Sequence, residues 1–371
     1  AAEHWRQNWL AGTDLVTLHF AANSKHALKL EWSKDQGTTC VLTWKTPNPN
    51  QNTSLESMAG EGVDYYVIYG GPAGSPGAMD RVLAGYRQLT GQAPLMPRWA
   101  FGLWQSRQRY ETQEASLEVV KGFRERQIPF DNIVQDWFYW REDNWGSHEF
   151  DAARFPDPDG WIKGIHAQHA QVMISVWPKF YPTTENAKAM AAKGFLFPVN
   201  PREKDWVGRG YAYTFYDAFQ PAAREMFWQQ IDQGLFSKGV DAWWMDATEP
   251  DVVQPSPATL ERQLADMPGR AAVANAYPML NAEAIYEGQR KAAPDQRVFI
   301  LTRSGYAGQQ RYAAASWSGD ISSSWSAMKK QIIAGTDYSI SGMPYWTMDS
   351  GGFSVPAKWS SRNPKAEDVA E

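Results

Sequence analysis

The sequence has few of the residues that build disulfides and metal sites. Its 371 residues include one cysteine, Cys40, and six histidines. A single cysteine excludes an internal disulfide and a thiolate metal cluster. His166 and His169 lie close together, and a polar helix face accounts for the pair without a metal ion. We therefore expect no metal site.

Long apolar runs, an excess of positive charge and nucleotide-binding loops are also missing. No stretch reaches the roughly 18 consecutive apolar residues of a membrane span. The net charge of −5 argues against nucleic acid as the main partner. No Gly-x-Gly-x-x-Gly turn follows the first strand of the α/β region, and no Gly-Lys-Ser/Thr phosphate loop occurs. We expect no cofactor, no nucleic acid and no membrane span, and the oligomeric state stays open.

Aromatic side chains, in contrast, are abundant. The chain has 19 Trp, 16 Tyr and 16 Phe, which make up 14% of its residues. Indole and phenol rings present flat apolar faces with one polar group, a surface suited to stacking on a sugar ring. The same rings also fill protein cores, so composition favours a sugar-handling protein only weakly.

The first part of the chain has a pattern typical of β-structure. Residues 1–47 contain short apolar–polar alternations between turn residues, for example around Cys40, Leu42 and Trp44, and they predict antiparallel strands. Residues 47–53 form a linker rich in proline and asparagine. A further strand over 63–69 and a helix over 79–90 follow. We predict domains at 1–47, 48–94 and 95–371.

From Trp99 onward, apolar runs alternate with segments that have helical spacing. Near-continuous apolar strands separated by helices indicate a parallel sheet with both faces covered. Seven successive strands favour an α/β fold of the (β/α)₈ TIM-barrel type that lacks its last unit, and a doubly wound sheet remains possible. The predicted strands are 101–104, 133–137, 172–177, 242–245, 298–301, 314–317 and 339–346.

Charged residues follow most of these strands. In a (β/α)₈ barrel the reactive groups lie at the carboxyl ends of the strands. One aspartate at such a place often caps a helix, but several carboxylates with tryptophans between them are harder to explain as caps. Paired carboxylates with aromatic walls are what glycoside hydrolysis requires. The residues concerned are Asp136, Trp177, Asp246, Arg303, Trp317, Asp320 and Asp349.

Three motifs, over 238–250, 317–320 and 348–353, resemble glycoside hydrolase family 31 in order and spacing. They read Lys-Gly-Val-Asp-Ala-Trp-Trp-Met-Asp-Ala-Thr-Glu-Pro, Trp-Ser-Gly-Asp and Met-Asp-Ser-Gly-Gly-Phe. The likeness extends from about Leu95 to Phe353. Trp-Trp-Met-Asp-Ala-Thr-Glu-Pro, together with Ser-Val-Trp-Pro-Lys-Phe over 175–180, most resembles bacterial α-xylosidases.

The resemblance implies a role for each matching residue. Asp246 is similar to the family's nucleophile and Asp320 to its acid/base. Asp136 and Arg303 match positions that bind hydroxyls of the sugar to be released. Side chains expected to wall that subsite are Trp177, Phe180, Trp244, Met245 and Trp317. Asp349 resembles an aspartate that supports the site, and Glu249 matches a position that orients its neighbours.

The first residues carry a second resemblance. His-Trp-Arg-Gln-Asn-Trp-Leu over 4–10, with 29–32 and 42–46, is similar to the closing strands of a protective-antigen-type sugar-binding module. Some α-xylosidases carry this module inserted in the β-sandwich ahead of the barrel, and residues 55–90 resemble the end of that sandwich. The family's histidine on strand eight has no counterpart here. We therefore expect a chain truncated at both ends.

The implied function is a retaining, exo-acting α-xylosidase that releases xylose from xyloglucan-derived oligosaccharides. An α-glucosidase or α-transglucosylase of the same family is the alternative among enzymes. A non-catalytic carbohydrate-binding protein is a third possibility. A metal-dependent (β/α)₈ hydrolase is disfavoured because the seven strand ends lack histidine. The resemblance suggests a periplasmic, cell-envelope or secreted bacterial protein.

Overall fold

The computed structural model describes residues 66–72, 74–199, 204–248 and 275–354, and the backbone of two earlier strands. The chain divides into two units, Ala1–Ile68 and Tyr69–Glu371. In the first unit, strands β1 (Cys40–Trp44) and β2 (Thr53–Ser57) pair antiparallel. The antiparallel strand predicted around Cys40, Leu42 and Trp44 is therefore confirmed, whereas β2 was not predicted. The other strands predicted within 1–47 lie outside the described residues.

The second unit is built around one parallel sheet. Its seven strands are hydrogen-bonded in chain order and curl into part of a (β/α)₈ barrel, which confirms the predicted fold class. They are β3 (Trp104–Gln105), β4 (Asn132–Gln135), β5 (Gln171–Ser175), β8 (Ala242–Met245), β9 (Ile300–Thr302), β10 (Ala314–Trp317) and β11 (Trp346–Thr347). Between β5 and β8, the short strands β6 (Lys179–Phe180) and β7 (Thr214–Phe215) form a separate antiparallel pair.

Helices connect the strands. They are α1 (Ala78–Thr90), α2 (Gln113–Glu125), α3 (Pro158–Ala167), α4 (Glu185–Ala191), α5 (Pro221–Gly234), α6 (Tyr277–Ala292) and α7 (Trp325–Ile340). Short 3₁₀ helices cover Arg98–Phe101, Phe236–Lys238 and Gln309–Tyr312. Side chains of Thr112, Thr184 and Ser324 cap the first turns of α2, α4 and α7 by accepting a backbone N–H bond. In the described ranges no helix combines the length and apolarity needed to cross a bilayer.

Three predicted strand positions differ from the structure. Residues 66–69 belong to no strand, and their backbone makes no sheet ladder. Phe101 ends a 3₁₀ helix and is 62% exposed, so the first barrel strand begins later, at Trp104. Ser339 belongs to α7, because that helix continues until Gly342 takes a left-handed conformation with φ 95°.

Alternation along the strands separates two apolar layers. Successive side chains of a strand point to opposite faces. Residues on one face pack inside the barrel, and those on the other pack against the helices. The inner layer includes Val134, Met173, Ala242, Trp244, Leu301, Ala315 and Trp317. The outer layer includes Ile133, Val172, Ile174, Trp243, Met245, Ile300 and Ala314.

Candidate active site

The strand register places three charged side chains at one rim of the barrel. Each of them lies two positions after a residue of the inner layer. Asp136 follows Val134 of β4, Asp246 follows Trp244 of β8, and Arg303 follows Leu301 of β9. Since side chains alternate with a period of two, each continues the inward row just past the end of its strand. The inner apolar layer therefore lies directly beneath this charged rim.

Arg303 lies between two carboxylates. Its Nη2 is 3.5 Å from Asp246 Oδ1, and its Nη1 is 3.8 Å from Asp320 Oδ1. Both distances are longer than that of a short charge-assisted hydrogen bond. The positive guanidinium therefore reduces the repulsion between the two carboxylates and leaves both available to a ligand. The side chain of Asp246 is 17% exposed and that of Asp320 is 50% exposed. Both carboxylates thus face a site that solvent can enter.

Asp320 is not the cap of the following helix. Ser324 performs that role for α7 by accepting a bond from the N–H of Ala327. Asp320 instead follows a turn at Gly319, which has φ 71°. A Cβ on Gly319 would lie 3.3 Å from Cδ of Arg303, so the glycine lets the turn approach the arginine closely. This turn brings Asp320 to the rim.

Asp136 is buried beside the other acids. Its Oδ1 accepts a bond of 2.6 Å from the N–H of Trp137, and the Ser175 hydroxyl also hydrogen-bonds it. Burial raises the pKa of Asp136 well above its ordinary value, and the negative charge of Asp246 raises it further, although both hydrogen bonds oppose the change. Asp136 therefore keeps its proton to a higher pH than an exposed aspartate does. A neutral carboxyl group can donate a hydrogen bond to a sugar hydroxyl.

Asp349 lies in the loop after β11, close to Asp320. The loop packs tightly on the segment after β10, since a Cβ on Gly352 would lie 2.5 Å from the Ser323 backbone. The Ser323 N–H donates a 2.9 Å bond to the Ser354 carbonyl. Burial is the main cause that raises the pKa of Asp349 from 3.8 to about 6, and the charge of Asp320 adds to it. Asp349 therefore keeps its proton to a higher pH than an exposed aspartate does.

We predict that Asp349→Asn alters the pH dependence of stability. The folded carboxyl group keeps its proton between about pH 4 and pH 6, where the unfolded chain has lost it. Wild-type stability from this group therefore falls as pH rises through that window and is level above it. Relative to wild type, Asp349→Asn should gain about 1 kcal/mol between pH 4 and pH 7, a figure reduced for partial exposure. Urea unfolding at pH 4, 5, 6 and 7 measures the gain.

The exposed Asp295, in the loop after α6, offers a matched control. Asp295→Asn removes a carboxyl group away from the rim and so measures the effect of losing one negative charge in general. A difference in unfolding free energy for Asp349→Asn that stays constant from pH 4 to pH 7 would contradict the raised pKa.

Tryptophans form the floor of the site. Trp244 and Trp317 belong to the inner layer and pack edge to face, with ring centroids 5.3 Å apart. The Arg303 guanidinium lies 6.0 Å from the centroid of Trp317. Both indoles are at least nine-tenths buried, and their Nε1 atoms have no hydrogen-bond partner among the described residues. A buried N–H without an acceptor raises the free energy of the folded state.

Trp177 borders the same site through Ser175. Its Nε1 donates a 3.0 Å bond to Ser175 Oγ, and Ser175 also hydrogen-bonds Asp136. The ring is 6% exposed and packs edge-on against Trp145, with centroids 4.8 Å apart. Ser175 thus links one predicted wall residue to one predicted hydroxyl-binding acid.

Two predicted wall residues lie elsewhere. Met245 is fully buried in the outer layer, since it stands one position from inward-facing Trp244. Phe180 is also fully buried and packs edge-on against Phe227 in the outer layer. The structure therefore does not bring these two side chains to the charged rim. Glu249 lies outside the described residues.

The motif analysis missed several hydroxyl groups at the rim. Thr248 Oγ1 lies 2.9 Å from Thr302 Oγ1 and 3.0 Å from Ser304 Oγ, so the loops after β8 and β9 are tied together. Ala247 lies between Asp246 and Thr248 in the chain and has φ 50°. Its N–H donates a 2.7 Å bond to Asp246 Oδ1. A left-handed alanine at this point is a strained turn that fixes the direction of the acid. The sequence did contain a signal for these groups, because threonine and serine residues stand at or just after the ends of two buried strands.

In the described part of the rim, several carboxyl groups surround the guanidinium of Arg303. Within the described residues, no group of three histidine, cysteine or acidic side chains has the arrangement of a metal site. The groups present can exchange a proton, attack an electron-poor carbon, and stabilise developing positive charge. Paired carboxylates over an aromatic floor suit the cleavage of a glycosidic bond.

Comparisons with known proteins agree with this geometry. Residues 93–368 match the profile described as the glycosyl hydrolases family 31 TIM-barrel domain. The α-xylosidase of Saccharolobus solfataricus is 42% identical, over 84% of this chain and 39% of its own length. The crystal structure of the GH31 α-xylosidase from Xanthomonas citri has a TM-score of 0.74 and 44% identity, over 85% of this chain and 34% of that chain.

A GH31 α-xylosidase from a soil metagenome, solved in complex with xylose, is also similar. Its TM-score is 0.71 and its identity 32%, over 82% of this chain and 44% of that chain. The present chain thus spans less than half the length of these three relatives. The profile match covers most of the chain, and the barrel and its acidic rim are in place. The chain belongs to glycoside hydrolase family 31.

Proposed function

We propose that the protein is a retaining, exo-acting α-xylosidase that removes α-linked xylose from xyloglucan-derived oligosaccharides. The observation that carries the proposal is the pair Asp246 and Asp320, held on either side of Arg303 above a floor of indole rings. The similarity to three proteins named as α-xylosidases supports the choice of sugar.

Each acid has a separate task in this mechanism. Asp246 attacks the anomeric carbon while Asp320 gives its proton to the glycosidic oxygen, so the carbon–oxygen bond to the leaving sugar breaks. A covalent ester between Asp246 and xylose results. Asp320 then takes a proton from water, and the hydroxide that forms attacks the same carbon. The ester bond breaks, and α-xylose leaves with Asp246 restored.

The surroundings of the acids fit these tasks. Asp246 lies beside Arg303 and accepts a bond from the Ala247 N–H, and both interactions stabilise a negatively charged nucleophile. Asp320 is half exposed, so water can reach it for the second step. Asp136 would hydrogen-bond a hydroxyl of the xylose ring through its carboxyl group.

Retention is proposed from the resemblance of Asp246 and Asp320 to the nucleophile and the acid/base of the family. Retaining pairs stand about 5–5.5 Å apart, whereas inverting pairs leave roughly 6.5–9.5 Å for a water molecule between them. Both carboxylates contact neighbouring nitrogens of one arginine side chain, at 3.5 and 3.8 Å. These contacts allow either separation, and the anomer of the first product distinguishes retention from inversion.

The experiment that tests the proposal is hydrolysis of paired p-nitrophenyl α-xyloside and α-glucoside. The two substrates differ by one hydroxymethyl group, which a pocket of fixed shape can discriminate by about 10- to 200-fold. We expect kcat/KM to favour the xyloside at least about tenfold, and NMR to show α-xylose as the first product. Preference for the glucoside would identify an α-glucosidase or α-transglucosylase, and β-xylose as first product would exclude retention.

A non-catalytic sugar-binding protein is the alternative outside enzymes. It would bind the xyloside in the same assay without releasing p-nitrophenol. We further propose that residues 1–47 are part of a protective-antigen-type module, that 48–94 end a β-sandwich, and that 95–371 belong to the catalytic barrel. A periplasmic, cell-envelope or secreted location fits this assignment.

A further inference from the structure

Trp206 presents its indole ring to solvent between two buried neighbours. The side chain is 55% exposed, whereas both neighbours, Asp205 and Val207, are 5% exposed. An exposed indole ring near a sugar-binding site presents an apolar face that a sugar can stack on. The neighbours hold the backbone in place, so the exposure of Trp206 is a fixed property of the loop.

Hydrogen bonds make this loop rigid. The Asp205 carboxylate is 2.9 Å from the ammonium group of Lys179 and accepts a 2.8 Å bond from the Tyr181 hydroxyl. The Asp205 N–H donates to the Tyr211 carbonyl at 2.8 Å, which closes the loop. The Tyr211 hydroxyl in turn donates a 3.1 Å bond to Glu142 Oε1, in the segment that follows β4. A ring held this way loses little conformational entropy when it binds a ligand.

A continuous row of rings connects Trp206 with the carboxylates. Trp206 packs edge-on against Trp137 with centroids 5.1 Å apart, and Trp137 stacks on Trp145 at 5.7 Å. Trp145 contacts Trp177, which borders the site. The N–H of Trp137 also donates to Asp136 at 2.6 Å. Trp206 is therefore the exposed end of an aromatic row whose other members lie beside the acidic rim.

The chemistry of this surface suits a pyranose ring. The open face of an indole stacks on the apolar face of a sugar. The guanidinium of Arg109 lies 5.0 Å from the centroid of Trp137, and its N–H groups can bond sugar hydroxyls. In an exo-acting enzyme one sugar occupies the cleavage site, so any sugar bound outside it belongs to the leaving group.

We propose that Trp206 is the stacking platform for a sugar of the leaving group, and that it sets the preference for oligosaccharides over small xylosides. This inference rests on the proposed α-xylosidase function. Trp206 takes no part in bond cleavage; it contributes binding free energy outside the cleavage site and hence lowers KM for oligosaccharides.

The test compares a xylose-capped oligosaccharide with α-xylosyl fluoride, whose leaving group carries no ring. In Trp206→Ala, the ratio of KM for the oligosaccharide to KM for the fluoride should rise about tenfold, the size expected for the loss of one aromatic stacking contact. Trp206→Phe should restore most of the original ratio because it keeps a ring. Thermal unfolding of each variant shows whether the loop change affects folding.

Trp325 provides the matched control. It is 57% exposed on α7, so Trp325→Ala removes an equally exposed indole, and the KM ratio should stay at the wild-type value. An unchanged ratio in Trp206→Ala, or equal losses on both substrates, would overturn the proposal. If the unaltered protein turns over neither substrate, the α-xylosidase assignment fails instead. Calorimetric titration with the oligosaccharide and with xylose then decides whether Trp206 still binds the longer sugar.

Discussion

Replacing Asp246 by alanine should lower kcat for α-xylosides by roughly 10⁴-fold or more, because no other group can form the ester with the anomeric carbon. Azide is small enough to occupy the space that the carboxylate leaves. With p-nitrophenyl α-xyloside as substrate, added azide should attack from the side of the missing carboxylate and yield β-xylosyl azide. NMR of the product measures its anomeric configuration.

The exposed Asp295 again offers a matched control, since Asp295→Ala removes a carboxylate from the loop before β9, at the opposite end of that strand from Arg303. That variant should retain wild-type kcat and give no azide product. Wild-type activity in Asp246→Ala, or loss of activity without any azide product, would reject Asp246 as nucleophile.

Replacing Asp320 by alanine should have an effect that depends on the leaving group. A xylose-capped oligosaccharide has a poor leaving group that needs a proton, so its kcat/KM should fall by about 10²- to 10⁴-fold. p-Nitrophenolate leaves without a proton, and kcat/KM for the aryl xyloside should fall much less. Here azide should attack the ester on Asp246 and yield α-xylosyl azide, the opposite anomer from that of Asp246→Ala.

Asp337 is a suitable control for this variant, because it is an exposed aspartate on the nearby helix α7. Asp337→Ala should lower neither activity and should give no azide product. Equal losses in Asp320→Ala for both leaving groups would contradict the acid/base role. The two azide anomers together distinguish the two acids in a single assay.

Most of the barrel could be predicted because its strands are locally visible. Runs such as 242–245 and 314–317 are short, apolar and bounded by turn residues, and the structure has strands with those bounds. The last strand was placed too early because an apolar helix end and an apolar strand look alike over a few residues. The glycine at 342, which ends α7, marks the actual boundary.

The charged residues of the rim could be listed from sequence, but their mutual geometry could not. Asp136, Asp246 and Arg303 follow different strands, and the contacts of Arg303 with both acids depend on strand order and register. Met245 shows the limit of motif transfer. It adjoins the proposed nucleophile in sequence, yet the period of two turns it to the outer layer.

Trp206 had no signal in the sequence. It lies between β6 and β7, in a loop with no periodicity, and its importance comes from contacts with Trp137 and from the ion pair of Asp205 with Lys179. Both Trp137 and Lys179 are distant from Trp206 in the sequence. A composition rich in tryptophan indicated sugar handling in general, but it did not indicate which rings remain uncovered.

The perpendicular indole pair beneath the rim restricts how the sugar preference of this site can be redesigned. Trp244 and Trp317 pack directly against each other. Replacing either indole by a smaller side chain would leave a cavity beneath the two acids, and changing its shape would displace them. Directed evolution toward bulkier monosaccharides should therefore accumulate its tolerated changes in the surrounding loops. Libraries that randomise those two positions should return mostly unfolded clones.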